Sequence, residues 1–154
     1  MRQRNPSMKT IIVFGSFVGN TETMAGYIRE GLRQEGIECE MRDVMDVNAE
    51  LLNDFDLLIL GSPTYEPKMI QEDMLPFYDQ LASMKLSGRR GAAFGPGDSA
   101  WPDFCTAVEM LEERMRECGI EMLIESHMVD GIVEEHEDET LDWARRLARA
   151  ALKG

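Results

Sequence analysis

The sequence predicts an α/β three-layer sandwich, a five-stranded parallel sheet with helices on both faces. Three observations predict it. Short, continuous apolar runs that suit strands buried on both sides, such as residues 9–14 (KTIIVF) and 56–60 (DLLIL), alternate with stretches whose apolar residues recur every three or four positions. This strand-then-helix alternation repeats along the whole chain, and parallel strands in one sheet need right-handed crossovers that lay helices on each face. The 154 residues, 44% hydrophobic and 29% charged, are enough for one such core, and no Pro/Gly/Ser-rich linker divides them.

Residues 9–14 form the expected first strand, closed by Gly15. Met24, Ile28 and Leu32 then recur at helical spacing, with Glu22, Arg29, Glu30 and Gln34 on the opposite side and Gly36 as a stop. Residues 37–42 (IECEMR) alternate like an edge strand, and 56–60 make a third strand that runs into Gly61. Met74, Phe77, Tyr78, Leu81 and Met84 predict a helix over 73–84, with Pro76 confined to its first turn. A fourth strand of small residues covers 91–94 (GAAF), followed by a helix whose stripe is Phe104, Val108, Leu111 and Met115. Residues 120–124 are the expected fifth strand. The acidic stretch 134–139 leads into a last helix bearing Leu141, Ala144, Leu147 and Ala148, with Arg145, Arg146 and Arg149 placed late to suit the macrodipole. Residues 1–7 are expected to be a flexible N-terminal extension and 8–154 a single domain.

The chain carries 29 acidic and 16 basic side chains, a formal net charge of −13 that repels phosphate backbones and anionic membranes. Nucleic-acid binding is excluded on that ground, and no apolar run approaches the roughly 20 residues that span a bilayer. The charge serves either solubility or steering toward a basic protein partner. Cys39, Cys105 and Cys118 are odd in number and widely spaced, so neither a disulfide framework nor a Cys-x-x-Cys motif is present, which fits reduced thiols in a cytoplasm. His127 and His136 stand on polar, acidic stretches without a ligand cluster and read as solvated residues, with no metal expected.

Three loops follow strands at the end of the sheet where such folds bind ligands. The first, Gly15-Ser16-Phe17-Val18-Gly19-Asn20-Thr21-Glu22-Thr23, packs glycines, hydroxyls and an amide against a helix start. Backbone amides there, with Ser16, Asn20, Thr21 and Thr23 as added donors, can surround a phosphate monoester without a cation; the same residues also make an ordinary N-capped turn. Neither Gly-Lys-Ser/Thr nor Gly-x-Gly-x-x-Gly is present, so a triphosphate loop and a dinucleotide fingerprint are not supported. The second loop carries Tyr65 and the third Trp101, which either clamp a flat ring by stacking or cover core at the loop bases.

The segment 15–23, together with Phe94-Gly95-x-Gly97-Asp98-Ser99-x-Trp101 and Phe104-Cys105, resembles the signatures of the short-chain flavodoxins over nearly the whole chain. That resemblance implies strand order 2-1-3-4-5, a fifth strand into which no extra segment is inserted, and non-covalently bound FMN as cofactor. It implies a low-potential electron carrier, not an enzyme, that shuttles electrons between redox partner proteins docking near the exposed flavin edge, as a cytoplasmic monomer. By the same resemblance, Ser16, Asn20 and Thr21 hold the phosphate with the amides of Phe17, Val18 and Gly19. Tyr65 and Trp101 flank the ring, with Ser62, Pro63, Thr64 and Glu66 from the second loop. Gly95, Gly97, Asp98, Phe104 and Cys105 complete the set from the third.

Two positions depart from the family pattern. Val18 replaces a usual hydroxyl residue, leaving only its backbone amide to donate. Glu66 stands where relatives commonly have glycine, in a peptide expected to flip when the flavin takes an electron; a side chain there, followed by Pro67, hinders that flip. Two rivals share the fold. An FMN-dependent small-molecule, quinone-type reductase would need a second pocket over the flavin, and a regulatory domain that has lost FMN would be colourless.

Overall fold

The apolar runs become strands because only a two-sided burial satisfies them, and the amphipathic stretches become the helices that supply it. A computed structural model describes residues 8–15, 19–65, 69–70, 72–100 and 104–153. In chain order the elements are β1 (Thr10–Phe14), α1 (Asn20–Gln34), β2 (Glu40–Asp43), β3 (Leu57–Gly61), β4 (Thr64–Tyr65), β5 (Met69–Ile70), α2 (Leu75–Leu81), β6 (Arg90–Gly97), α3 (Thr106–Glu117), β7 (Glu121–Met122), β8 (His127–Asp130) and α4 (Glu137–Lys153). Short 3-10 turns at Val44–Asp46, Ala49–Asp54, Glu72–Met74 and Val133–His136 link them.

The main sheet is parallel in the order β2-β1-β3-β6, and β7 and β8 both lie along the far side of β6, giving the expected 2-1-3-4-5 arrangement of five lanes. Every residue of β1 and β3 is buried, whereas β2 stands at the edge and is partly exposed. Alternate side chains then face opposite layers. Ile11, Val13, Leu58 and Leu60 pack with Phe77, Leu81, Val108 and Leu111 from α2 and α3. Ile12, Phe14, Leu57 and Ile59 pack with Met24, Ile28, Trp143 and Leu147 from α1 and α4. Gly61 is small for a reason: a Cβ there would stand 2.2 Å from the Phe94 ring.

Several boundaries differ from expectation. The second strand starts at Glu40 and leaves 37–39 outside, and the fourth extends to Arg90–Gly97. The helix expected over 73–84 becomes a 3-10 turn and the seven-residue α2, with Pro76 in its first turn as anticipated. The fifth strand is the larger boundary correction: it is not confined to 120–124 but runs as β7 and β8, with no inserted element between them. Met122 lies opposite Gly91 and His127 opposite Phe94, so five steps of chain face three steps of β6 and two residues bulge out. Helices on both faces hold the bulge. Ser126 Oγ donates to Glu112 Oε1 of α3 (2.7 Å), while Trp143 Nε1 of α4 donates to the Glu125 carbonyl (2.8 Å) and Arg146 Nη1 to its carboxylate (2.9 Å).

Candidate cofactor-binding site

Strand order reverses between β1 and β3, since the chain leaves β1 for one edge and β3 for the other, and in open α/β sheets ligands bind above the carboxyl ends of the strands at such a point. The ladder persists to that point: Gly15 N donates to the Gly61 carbonyl (3.0 Å) and Ser62 N to the Phe94 carbonyl (3.2 Å), which brings the roots of all three loops together.

In the first loop, Ser16, Phe17 and Val18 lie outside the described residues. Gly19 caps α1 with φ 91°, a left-handed conformation that favours glycine, and supplies no side-chain cap to the helix. Thr23 Oγ1 donates back to the Gly19 carbonyl (3.0 Å), so that hydroxyl is engaged within the helix. Thr21 differs. It is 1% exposed, and its Oγ1 has no hydrogen-bond partner. Asn20, at the first position of α1, is exposed. Thr10 carries the other such hydroxyl among the described residues, at the opposite end of β1.

The second loop folds back as the antiparallel pair β4 and β5, with Thr64 opposite Ile70 and Tyr65 opposite Met69; its tip, including Glu66, lies outside the described residues. Ser62 is buried and its Oγ donates to the Pro63 carbonyl (2.9 Å). Thr64 Oγ1 accepts from Ala107 N (2.8 Å), capping α3, whose own N-cap residue Cys105 offers no side-chain bond.

Close packing shapes the third loop. A Cβ on Gly95 would stand 2.3 Å from the Ser62 carbonyl oxygen, and one on Gly97 would stand 2.8 Å from Cys105 Sγ. Cys105 is buried beneath them in a left-handed conformation (φ 53°), and burial pushes its thiol up to about 12, which makes it an inert core group. Phe104 is half-buried against the α2/α3 side of the core. Beyond Gly97, Asp98 Oδ1 accepts from Ala100 N (2.9 Å), and Ser99 donates to Asp130, a residue the sequence reading did not single out. Its only signal was an Asp-Gly pair after an apolar stretch. Trp101 lies outside the described residues.

The structure therefore brings Gly19, Asn20, Thr21, Ser62, Pro63, Thr64, Gly95, Gly97 and Asp98 to the carboxyl end of the sheet, with the Tyr65 backbone among them. One histidine reading is corrected. His127 is not solvated: its ring stacks on Trp143 (5.3 Å between centroids), its Nε2 meets Thr140 Oγ1 at 2.9 Å, and burial pushes its pKa down to about 4. His136 pairs with Glu139, which raises its pKa. Among the described residues no cluster of His, Cys, Asp and Glu could hold a metal ion, and no helix is long and apolar enough to cross a membrane.

Residues 12–143 match the sequence model of the family described as Flavodoxin. The chain belongs to the flavodoxin family. It is 37% identical to a flavodoxin of Maridesulfovibrio salexigens over 91% of this chain and 97% of that one. A probable flavodoxin 2 of Bacillus subtilis is 32% identical, with 92% and 95% covered. Oxidised flavodoxin 1 from Bacillus cereus superposes with a TM-score of 0.86 at 34% identity, covering 92% of this chain and 97% of that structure. Flavodoxins bind FMN non-covalently and are electron carriers, not enzymes. The start of α1 fits the phosphate of that cofactor. A buried hydroxyl without a partner, set in the first turn of a helix whose amides lack intrahelical acceptors, is a donor set for an anion.

Proposed function

We propose that the protein shuttles electrons at low potential between redox partner proteins, holding FMN in the three loops above β1, β3 and β6. The observation that carries this reading is the Thr21 hydroxyl, buried and unpartnered in the first turn of α1. A lone buried hydroxyl costs roughly 1–3 kcal/mol, and a phosphate oxygen removes that cost. Thr21, Ser16, Asn20 and the amides of residues 17–19 would bind the phosphate. Tyr65 and Trp101 would flank the ring and exclude water from its faces, with Ser62, Pro63, Thr64, Glu66, Gly95, Gly97 and Asp98 bordering it; Phe104 and Cys105 would support the third loop from below.

Bound FMN supplies the electron-transfer chemistry, and the chain supplies position and electrostatic bias. Asp98 and Asp130 stand beside the third loop in a chain of net charge −13, so added negative charge there is disfavoured and the potential is lowered. The same charge steers basic partners toward the molecule. Residues 8–154 act as one FMN-binding domain, in a cytoplasmic monomer.

Visible absorption of the purified protein followed by anaerobic reductive titration tests the proposal. One flavin per chain, reducible by an added reductase and without NADH oxidation by the protein alone, is the expected result. A colourless protein that does not take up FMN overturns it. NADH oxidation by the protein alone would assign it to the small-molecule reductases instead.

A further inference from the structure

The exit of β6 is anchored from outside the three loops. β6 and β8 pair to their ends, with Gly97 opposite Asp130 and Gly131 N donating to the Gly97 carbonyl (2.9 Å). From Gly97 the chain turns through Asp98, Ser99 and Ala100, all three exposed, so no apolar burial fixes this turn. Both carboxylate oxygens of Asp130 are committed to one residue of it. Ser99 N donates to Oδ1 at 2.9 Å and Ser99 Oγ donates to Oδ2 at 2.6 Å, across 31 residues of sequence. Two bonds to one residue set its orientation as well as its position, and bonds to an ionised acceptor are the stronger kind. Asp98 Oδ1 stiffens the turn from the other side through Ala100 N.

We propose that Asp130 is a positioning residue for the flavin ring, acting through Ser99 on the turn that carries Asp98; this rests on the FMN reading above. Consecutive Cα atoms are about 3.8 Å apart, so fixing Ser99 confines the backbone of its neighbour Asp98 without any contact between Asp130 and the cofactor. Ser99's hydrogen bonds, and next the nearby His136, hold the Asp130 carboxyl below its usual range, so it is an ionised acceptor throughout the neutral range. Asp130 is itself seated by the β8 ladder and by the turn at Gly131 (φ 92°), which makes the sheet the fixed body and the loop the part being held.

The test is fluorescence titration of the full chain, stripped of flavin, with FMN and separately with riboflavin, alongside thermal unfolding of the stripped protein. Asp130→Ala is expected to weaken FMN and riboflavin by the same factor, about five- to tenfold, because the ring contacts are affected and the phosphate contacts are not. Asp130→Asn, which keeps an acceptor for Ser99 N, is expected to recover most of the affinity. Visible circular dichroism of the bound flavin should change in Asp130→Ala and return in Asp130→Asn. Unchanged affinity for both ligands in Asp130→Ala overturns the proposal, as does a loss that appears for FMN alone or that tracks a fall in stability of the stripped protein. A wild type that binds neither flavin removes the FMN reading itself, a result distinct from a wild type that binds and an Asp130→Ala variant that binds equally well.

Discussion

Thr21 differs from Thr10, the other buried hydroxyl without a partner, in standing in the first turn of a helix, where the free amides beside it are donors for the same anion. Replacing it by the isosteric valine removes that donor with little change of volume. Thr21→Val is expected to weaken FMN by about tenfold, the range of one hydrogen bond to a charged group, while riboflavin, which lacks the phosphate, binds as before; titration with the two ligands measures the difference. His127 allows a second prediction. Its folded pKa is about 4 because burial against Trp143 disfavours the charged ring, while an unfolded histidine titrates near 6.5. Above about pH 6.5 the ring is neutral in both states and contributes no pH dependence. As pH falls from there toward 4, the unfolded chain takes a proton that the folded chain does not, so stability declines with falling pH and the decline is complete below 4. Urea unfolding should show wild type losing about 1–2 kcal/mol more than His127→Gln between pH 7 and pH 5. Thr21 was legible in the sequence because the loop and helix start that define its place are its neighbours in the chain. The environment of His127 was not, since the ring that buries it arrives from α4, sixteen residues later. Asp130 was hidden for the same reason, as its contact joins residues 31 apart.

Elements defined by their own periodicity were the readable ones. β1 and β3 follow from continuous apolar runs, and α1, α3 and α4 from apolar stripes with glycine stops or ordered charge. The bulge that splits the fifth strand left no such trace, because Glu112, Trp143 and Arg146 set it from two helices on opposite faces of the sheet. The β4–β5 hairpin was missed because two-residue strands have no period to detect. That hairpin is nevertheless tied to the site, since Thr64 Oγ1 takes the Ala107 amide in the first turn of α3, the helix that follows the third loop. One hydroxyl thus joins the second loop to the end of the third. Thr64→Val leaves that amide unsatisfied and is expected to lower stability by about 1 kcal/mol, the scale of a lost N-cap. Urea unfolding of the flavin-free protein reads the loss directly. FMN affinity should fall by a few-fold with it, because the residue before Tyr65 is no longer anchored.

At the scale of the whole molecule the net charge of −13 opposes the approach of any anion, and the phosphate of FMN is one. In the proposed site the first loop offers it only hydroxyls and amides, for no lysine or arginine occurs between Gly15 and Thr23. The two effects differ in range. Hydrogen bonds to the phosphate act at contact and are little affected by salt, whereas repulsion by the distributed carboxylates acts over the Debye length, about 30 Å at 0.01 M and 8 Å at 0.15 M. Raising sodium chloride from 0.01 to 0.3 M therefore removes the unfavourable contribution and spares the favourable one. FMN binding is expected to tighten by about three- to tenfold over that range, and binding of the uncharged riboflavin to change much less. A phosphate held by an exposed cation would show the opposite sign, weakening as salt is added. Titrations at the two ionic strengths thus distinguish a cradle of neutral donors from a cationic clamp.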